Sequence, residues 1–251
     1  MPENLLIFAG TTEATALARA VADAGIKGTV SFAGRVERPL RQPLPQRVGG
    51  FGGVPGLVRY LVEAGITHVI DATHPFAAQM SHNAVAACAE ARVPLIALTR
   101  PEWQEGPGDR WQRVPDIAAA VAALDRPRMS VMLALGRMHL AAFSAHPQHR
   151  YLLRLVDLPR DPLPFPDAEV VVDRGPFSEA SDRALLQRHG IELVVSKNAG
   201  GTGAAAKIVA ARALGLPVLM INRPTLPARH EVHDVAAVLQ WLGHHGADLG
   251  V

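Results

Sequence analysis

The stretch that decides the fold is Asn4-Leu5-Leu6-Ile7-Phe8-Ala9, closed by Gly10-Thr11-Thr12-Glu13 and followed by Ala14-Thr15-Ala16-Leu17-Ala18-Arg19-Ala20-Val21. Its opening run is continuously apolar, as a strand covered on both faces requires, and the following segment carries its apolar residues at helical spacing up to a closing Gly25. That order is strand, tight turn, helix. The punctuation recurs where Thr29-Val30-Ser31-Phe32 ends at Gly34-Arg35, where His68-Val69-Ile70 ends at Asp71-Ala72-Thr73-His74-Pro75, and where Leu95-Ile96-Ala97-Leu98 ends at Arg100-Pro101. Apolar strands alternating with helices predict an α/β protein with a parallel sheet covered on both sides.

The pattern then repeats along the chain. Gly10 matches Gly136, Phe51 in Gly-Gly-Phe matches Phe177 in Gly-Pro-Phe, and Gly65-Ile66 matches Gly190-Ile191. Pro94 with Arg100-Pro101 matches Pro217 with Arg223-Pro224, and Val114-Pro115-Asp116-Ile117 resembles Val232-His233-Asp234-Val235, all in order and at a nearly constant interval. This predicts two Rossmann-like parallel-sheet domains in tandem with an interdomain cleft. The first spans residues 1–126 and the second 127–251, with its C-terminal helix placed to pack back on the first.

Composition excludes several classes. The 251 residues are 49% hydrophobic, 19% charged and 5% aromatic, which rules out disorder and disfavours an aromatic-rich β-sandwich. A net charge of +2 implies neither nucleic acid nor membrane surface as partner. The lone Cys88 can form no internal disulfide, Glu3 and Glu13 flank an apolar run too short for a signal peptide, and Ile117 to Leu124 is too short to span a membrane. A cytoplasmic protein is expected.

In parallel sheets ligands meet the carboxyl ends of strands, so those positions hold the candidate residues. Gly10-Thr11-Thr12 would aim backbone N–H groups and hydroxyls from a helix N-terminus at a phosphate. Arg35, after Gly34 at the end of the second strand, stands where an NAD-specific protein has an acid and where arginine accommodates the 2′-phosphate of NADP. Gly49-Gly50-Phe51-Gly52-Gly53 admits a ligand close to the backbone. In Asp71-Ala72-Thr73-His74, His74 is a candidate acid, base or donor, while Asp71 reads equally well as a helix cap.

In the second unit Lys197-Asn198-Ala199-Gly200-Gly201-Thr202-Gly203 resembles a phosphate loop, but its lysine precedes the glycines, so an anion site without nucleotide hydrolysis is expected. Arg137, Arg174, Lys197 and Arg223 would gather on one side of that sheet, which suits a substrate bearing many carboxylates or phosphates. About half of them are expected in structural ion pairs. No metal-ligand spacing, nucleophile elbow or Tyr-x-x-x-Lys pair is present.

Taken together, Ala9-Gly10-Thr11-Thr12-Glu13-Ala14, Ala33-Gly34-Arg35, Gly49-Gly50-Phe51-Gly52-Gly53, Asp71-Ala72-Thr73-His74-Pro75-Phe76-Ala77, Arg100-Pro101-Glu102-Trp103, Arg174-Gly175-Pro176-Phe177 and Ser196-Lys197-Asn198-Ala199-Gly200-Gly201 resemble the precorrin-6A reductases of cobalamin biosynthesis along the whole chain. Ala9 and Ala199 replace a frequent glycine and serine, changing no charge. The resemblance implies an NADPH-dependent oxidoreductase that saturates a double bond of precorrin-6A or its cobalt counterpart. It implies a polycarboxylate tetrapyrrole as small-molecule partner, with neighbouring pathway enzymes among the protein partners to test. Under it, Thr11, Thr12 and Glu13 take cofactor phosphates and ribose, Arg35 the 2′-phosphate, and Asp71, Thr73 and His74 lie beside the nicotinamide, with Gly10, Gly34, Gly52 and Gly53 lining the cofactor. Arg137, Arg174, Lys197, Asn198, Gly200, Gly201 and Arg223 bind substrate, and His74 or Lys197 is the proton donor if one is needed. A two-domain nucleotide-sugar glycosyltransferase and a non-catalytic tetrapyrrole- or nucleotide-binding protein are the alternatives.

Overall fold

In the computed structural model, which describes residues 2–34, 41–157, 159, 161–173, 175 and 177–247, β1 (Asn4–Phe8) is buried along its whole length. It leads through Gly10 into α1 (Thr12–Asp23), then β2 (Lys27–Phe32), β3 (Gln46–Val48), α2 (Gly53–Glu63), β4 (His68–Asp71), α3 (Ala78–Ala91) and β5 (Leu95–Leu98). Next come β6 (Trp111–Val114), α4 (Ile117–Ala122), β7 (Ser130–Ala134), a 3₁₀ segment (Arg137–Ala145), β8 (Arg150–Leu155) and β9 (Ala168–Val172). The chain ends with α5 (Glu179–Arg188), β10 (Leu193–Lys197), α6 (Ala206–Ala213), β11 (Val218–Ile221), β12 (His230–Val232) and α7 (Val235–Ala247).

The strands form two six-stranded sheets, ordered β3-β2-β1-β4-β5-β12 and β9-β8-β7-β10-β11-β6, with every pairing parallel. This is the doubly wound arrangement the sequence predicts. In each sheet the order of the connections reverses at the centre, between β1 and β4 and between β7 and β10, and in such sheets ligands sit at this switch point.

Alternation within β1 builds a core on both faces of the first sheet. Leu5 and Ile7 join Val30, Ile70 and Ile96 under Leu17 and Val21 of α1 and Val238 and Leu242 of α7. Leu6 and Phe8 join Val69 under Leu57 and Leu61 of α2 and Ala84 and Ala87 of α3. Each fully buried Leu or Ile contributes roughly 1.5 to 3 kcal/mol. In the second sheet Met132, Leu152, Val194 and Met220 pack against Leu186 of α5 and Ile208 and Ala211 of α6.

The domain limits differ from the expected 1–126 and 127–251. One unit is Met1–Arg100 with Thr225–Val251, and the other is Pro101–Pro224. The cause is a reciprocal exchange of the last strand and helix of each repeat. β6 precedes β7 in the chain but pairs with β11, where Asn222 N–H donates to Val114 C=O at 2.8 Å. β12 pairs with β5, and Thr99 N–H donates to Val232 C=O at 2.9 Å in the same relative position. Asp116 caps α4 through Ala119 N–H at 2.8 Å, and Asp234 accepts from Ala237 N–H at 2.7 Å. The matched Val-x-Asp segments are therefore equivalent elements that have traded sheets. The matched Arg-Pro pairs are the two places where the chain crosses from one unit to the other. α7 packs against α1 and β5 of the first unit.

Candidate active site

At the centre of the first sheet, the turn after β1 and the turn after β4 are joined. Ala72 N–H donates to Phe8 C=O at 3.0 Å, and the Thr11 hydroxyl donates to Ala72 C=O at 2.9 Å while accepting Ala14 N–H at 3.1 Å. Thr11 is thus the N-cap of α1, and its hydroxyl is spent on the fold. Gly10, at φ +145°, is exposed, and no atom lies within 4 Å of where a Cβ would stand, so the backbone ahead of α1 is open to a ligand. Thr12 is exposed, and its hydroxyl donates to Glu13 Oε2 at 3.0 Å.

Glu13 pairs with Arg100 at 2.6 Å, and the same guanidinium reaches Thr12 Oγ1 at 3.3 Å. Burial alone would raise the Glu13 carboxyl, but the hydrogen bond and charge of Arg100 outweigh it and hold the group below the usual carboxylate range. The paired acid leaves the first turn of α1 without net charge. Sequence reasoning noted Arg100 only as a landmark; its place beside Thr12 and Glu13 makes it part of this turn.

Asp71 is buried, with its carboxylate engaged on both oxygens. Oδ1 accepts Thr73 N–H at 3.1 Å and the Thr73 hydroxyl at 2.7 Å, while Oδ2 accepts the Ser81 hydroxyl at 2.6 Å and Arg229 Nη1 at 2.5 Å. Those donors fill its acceptor capacity, so Asp71 shapes the loop after β4 and does not offer itself to a ligand. His74 Nδ1 accepts Phe76 N–H at 3.2 Å, which places the ring proton on Nε2. Its ring lies 5.8 Å from that of Phe76.

On the other side of β1, Gly34 is exposed at φ +77°, and Arg35 lies outside the described residues. A cation that sequence reasoning missed, Arg47 of β3, organises this edge. It donates to Ser31 Oγ at 2.8 Å, Gly49 C=O at 3.0 Å and Gly50 C=O at 3.1 Å, and its guanidinium lies 3.7 Å above the Phe51 ring. Phe51 in turn packs edge-on against Phe8 and Tyr60. Behind it, a Cβ on Gly56 would fall 1.7 Å from Phe51 C=O, so the helix can approach the loop only with glycine there. Gly52 caps α2 in the left-handed conformation, and Gly52 and Gly53 face solvent.

The second sheet's centre is built from side chains. Lys197 Nζ meets His139 Nε2 of the 3₁₀ segment at 2.7 Å, while Gly136 and Arg137 are exposed. Asn198, fully buried, acts as a surrogate backbone for Trp103: its Oδ1 accepts Trp103 N–H at 2.9 Å and its Nδ2 donates to Trp103 C=O at 3.0 Å. The Trp103 indole N–H then donates to Gly201 C=O at 2.7 Å. Arg223 holds the same loop, donating to Asn198 C=O at 3.0 Å and Ala199 C=O at 3.2 Å. Gly200 sits at φ +70°, where a Cβ would lie 2.1 Å from Pro101 C=O.

Asn198, Gly201 and Arg223 therefore belong to one network around Trp103, with Gly200 packed on Pro101 and Lys197 held separately by His139. Arg174 lies outside the described residues. Unforeseen from the sequence are the buried ion pair Arg154–Asp182 at 2.7 Å and Lys207, which donates to Ala204 C=O at 2.7 Å and lies 4.9 Å above the Trp103 ring. Burial, with Arg154 nearby, pushes Lys207 down to about 8. Among the described residues no helix is long and apolar enough to cross a membrane.

These features define a class: α/β proteins built from two parallel six-stranded Rossmann-like sheets. A capped helix stands at the centre of the first sheet, and the Lys197–His139 pair at the centre of the second. Within that class the chain belongs to the precorrin-6x reductase CbiJ/CobK family, whose model matches residues 4–243. It is 58% identical to the precorrin-6A reductase of Rhodobacter capsulatus over 244 residues, 97% of each chain, and 42% identical to that of Rhodococcus erythropolis over 96% of this chain and 97% of the relative. A cobalt-precorrin-6A reductase of Priestia megaterium is 30% identical over 88% of this chain and 91% of its own. The solved structure of a CobK precorrin-6A reductase superposes with a TM-score of 0.93 at 57% identity, covering 97% of both chains. The chain is a member of a family of oxidoreductases.

Proposed function

We propose that the protein reduces one double bond of precorrin-6A with NADPH. The observation that carries this reading is the open, glycine-led N-terminus of α1 at the centre of the first sheet, in a chain 58% identical to a precorrin-6A reductase. Backbone N–H groups at 12 and 13, with the helix dipole behind them, fit the pyrophosphate of a dinucleotide, and the Glu13–Arg100 pair leaves that turn free of repulsive charge. Arg35 is the residue that selects NADPH over NADH, because it follows β2 where the 2′-phosphate is read. When bound, the nicotinamide supplies hydride; a proton completes the addition across the double bond.

In this mechanism the chain's own residues chiefly orient and exclude water. Thr73 and His74 wall the nicotinamide pocket from the end of β4. Arg137, Arg174, Lys197 and Arg223 hold carboxylates of the macrocycle, with Asn198, Gly200 and Gly201 shaping that surface. The proton comes from His74 Nε2 or from Lys197, whose ammonium shares a hydrogen bond with His139. The cobalt-free ring is the favoured substrate, since the relatives named precorrin-6A reductase are 40 to 58% identical and those named cobalt-precorrin-6A reductase 26 to 30%.

The test is an anaerobic mixture of the protein, precorrin-6A and either NADPH or NADH, following coenzyme absorbance and the pigment spectrum together. The reading expects coupled loss of both signals with NADPH strongly preferred. Pigment binding without coenzyme oxidation would contradict it.

A further inference from the structure

We propose that Arg229, delivered by the exchanged strand β12, is a positioning residue for the reduction: it fixes the Asp71 carboxylate and, through it, the Thr73–His74 loop. This rests on the reading of that loop as a wall of the nicotinamide pocket.

The geometry is a relay buried in the first unit. Arg229 immediately precedes β12 and pairs with Asp71 at 2.5 Å, the two side chains being 6% and 1% exposed. Its Nε also donates to Glu231 Oε1 at 3.0 Å, which aims the guanidinium. Asp71 passes the constraint on, because one oxygen accepts the Arg229 and Ser81 donors and the other accepts both the N–H and the hydroxyl of Thr73. One carboxylate thereby ties together the exchanged strand, α3 and the loop after β4.

A cation is needed at that point. Buried carboxylates held by neutral donors alone keep an uncompensated charge, and a guanidinium supplies both the charge and a directed donor. Arg229 also borders an open surface pocket together with Cys88, Val93 and Leu95. What distinguishes Arg229 is the reach of its charged end, across a sequence separation of 158 residues, to a loop it does not belong to.

If Arg229 acts by holding the loop, its loss displaces groups near the reacting carbon and leaves the α1 grip on coenzyme phosphates intact. Arg229→Met is expected to lower kcat about tenfold or more, because small misplacements near the reacting atoms are costly in rate. The Kd for NADPH should stay within about threefold, Arg229→Lys should recover most of kcat, and Asp71→Asn combined with Arg229→Met should be no worse than the poorer single variant. The kinetics use the full chain with precorrin-6A and NADPH, with Thr73→Ala and His74→Ala measured alongside.

A folded Arg229→Met with unchanged kcat and only a lower Tm would overturn the proposal. If that variant does not fold, Arg229→Lys and Asp71→Asn decide: kcat lowered in Asp71→Asn and largely kept in Arg229→Lys supports the relay, and unchanged kcat in both overturns it. Full activity in both Thr73→Ala and His74→Ala would instead remove the loop from the pocket whatever Arg229 does, while absence of NADPH oxidation by the unaltered chain would fail the functional reading itself.

Discussion

After β1 the chain turns at Gly10 into an α-helix capped by Thr11, whereas after β7 it turns at the matching Gly136 into the 3₁₀ segment Arg137–Ala145, with no side-chain cap. The first turn ends in aligned backbone N–H groups with an acid neutralised by Arg100. The second ends in side-chain cations, Arg137 exposed and Lys197 against His139. Two repeats with the same strand order thus differ in structure at the same topological point. A helix N-terminus favours a compact, directional anion such as pyrophosphate, while separated cations on longer side chains suit carboxylates spread around a ring.

The ends of β4 and β10 sharpen the contrast. Asp71 binds its loop through charge, with Arg229 as partner, whereas Asn198 binds Trp103 with neutral hydrogen bonds. The largest expected effect is at the second of these. Gly200→Ala places a methyl group 2.1 Å from Pro101 C=O at a positive φ and should cost roughly 2 to 4 kcal/mol, read from thermal unfolding. Gly136→Ala, with nothing within 4 Å and an ordinary φ of −70°, should stay within about 0.5 kcal/mol of wild type. Asn198→Ala leaves Trp103 N–H and C=O unpaired and should cost about 2 to 3 kcal/mol.

The next effect is a pH dependence confined to the second unit. Lys207 has its folded value at about 8, below the ordinary 10.5, so the unfolded chain holds the extra proton between them and stability rises with pH across that window. The rise should be on the order of 3 kcal/mol and should vanish in Lys207→Met, read from thermal unfolding across that pH range. Identical slopes in the two proteins would detach Lys207 from it.

The smallest effect lies in the first unit, with the same sign of dependence but in the acid range. Glu13 is held below its ordinary 4.5, so its contribution is present above that value and lost as pH falls through the folded one. Because the pair is partly exposed, Glu13→Gln should flatten the acid limb of the stability curve by no more than about 1 kcal/mol.

The sequence made the strands, the central turns and the repeat legible, because continuous apolar runs and Gly-Thr punctuation are local signals. It misplaced the domain limit, since β6 and β12 are short edge strands whose pairing partners, β11 and β5, lie far away in sequence. The site was legible as a set of positions but not as roles. Thr11 read as a ligand and serves as a cap; Asp71 read as a ligand or a cap and anchors a loop instead. Arg47, Arg100 and Arg229 carry no local signal, because each acts on residues brought near only by the sheet.

The most direct measurement of that division of labour is NADPH and precorrin-6A binding to Thr12→Asp and Arg137→Asp, charge changes at the matching turns. Thr12→Asp adds a carboxylate that a helix N-terminus tolerates but a pyrophosphate does not, so NADPH should weaken at least about tenfold with Tm unchanged or raised. Arg137→Asp should leave NADPH binding intact and weaken precorrin-6A. NADPH affinity untouched by Thr12→Asp, or lost in Arg137→Asp, would contradict the assignment of the coenzyme to the first unit.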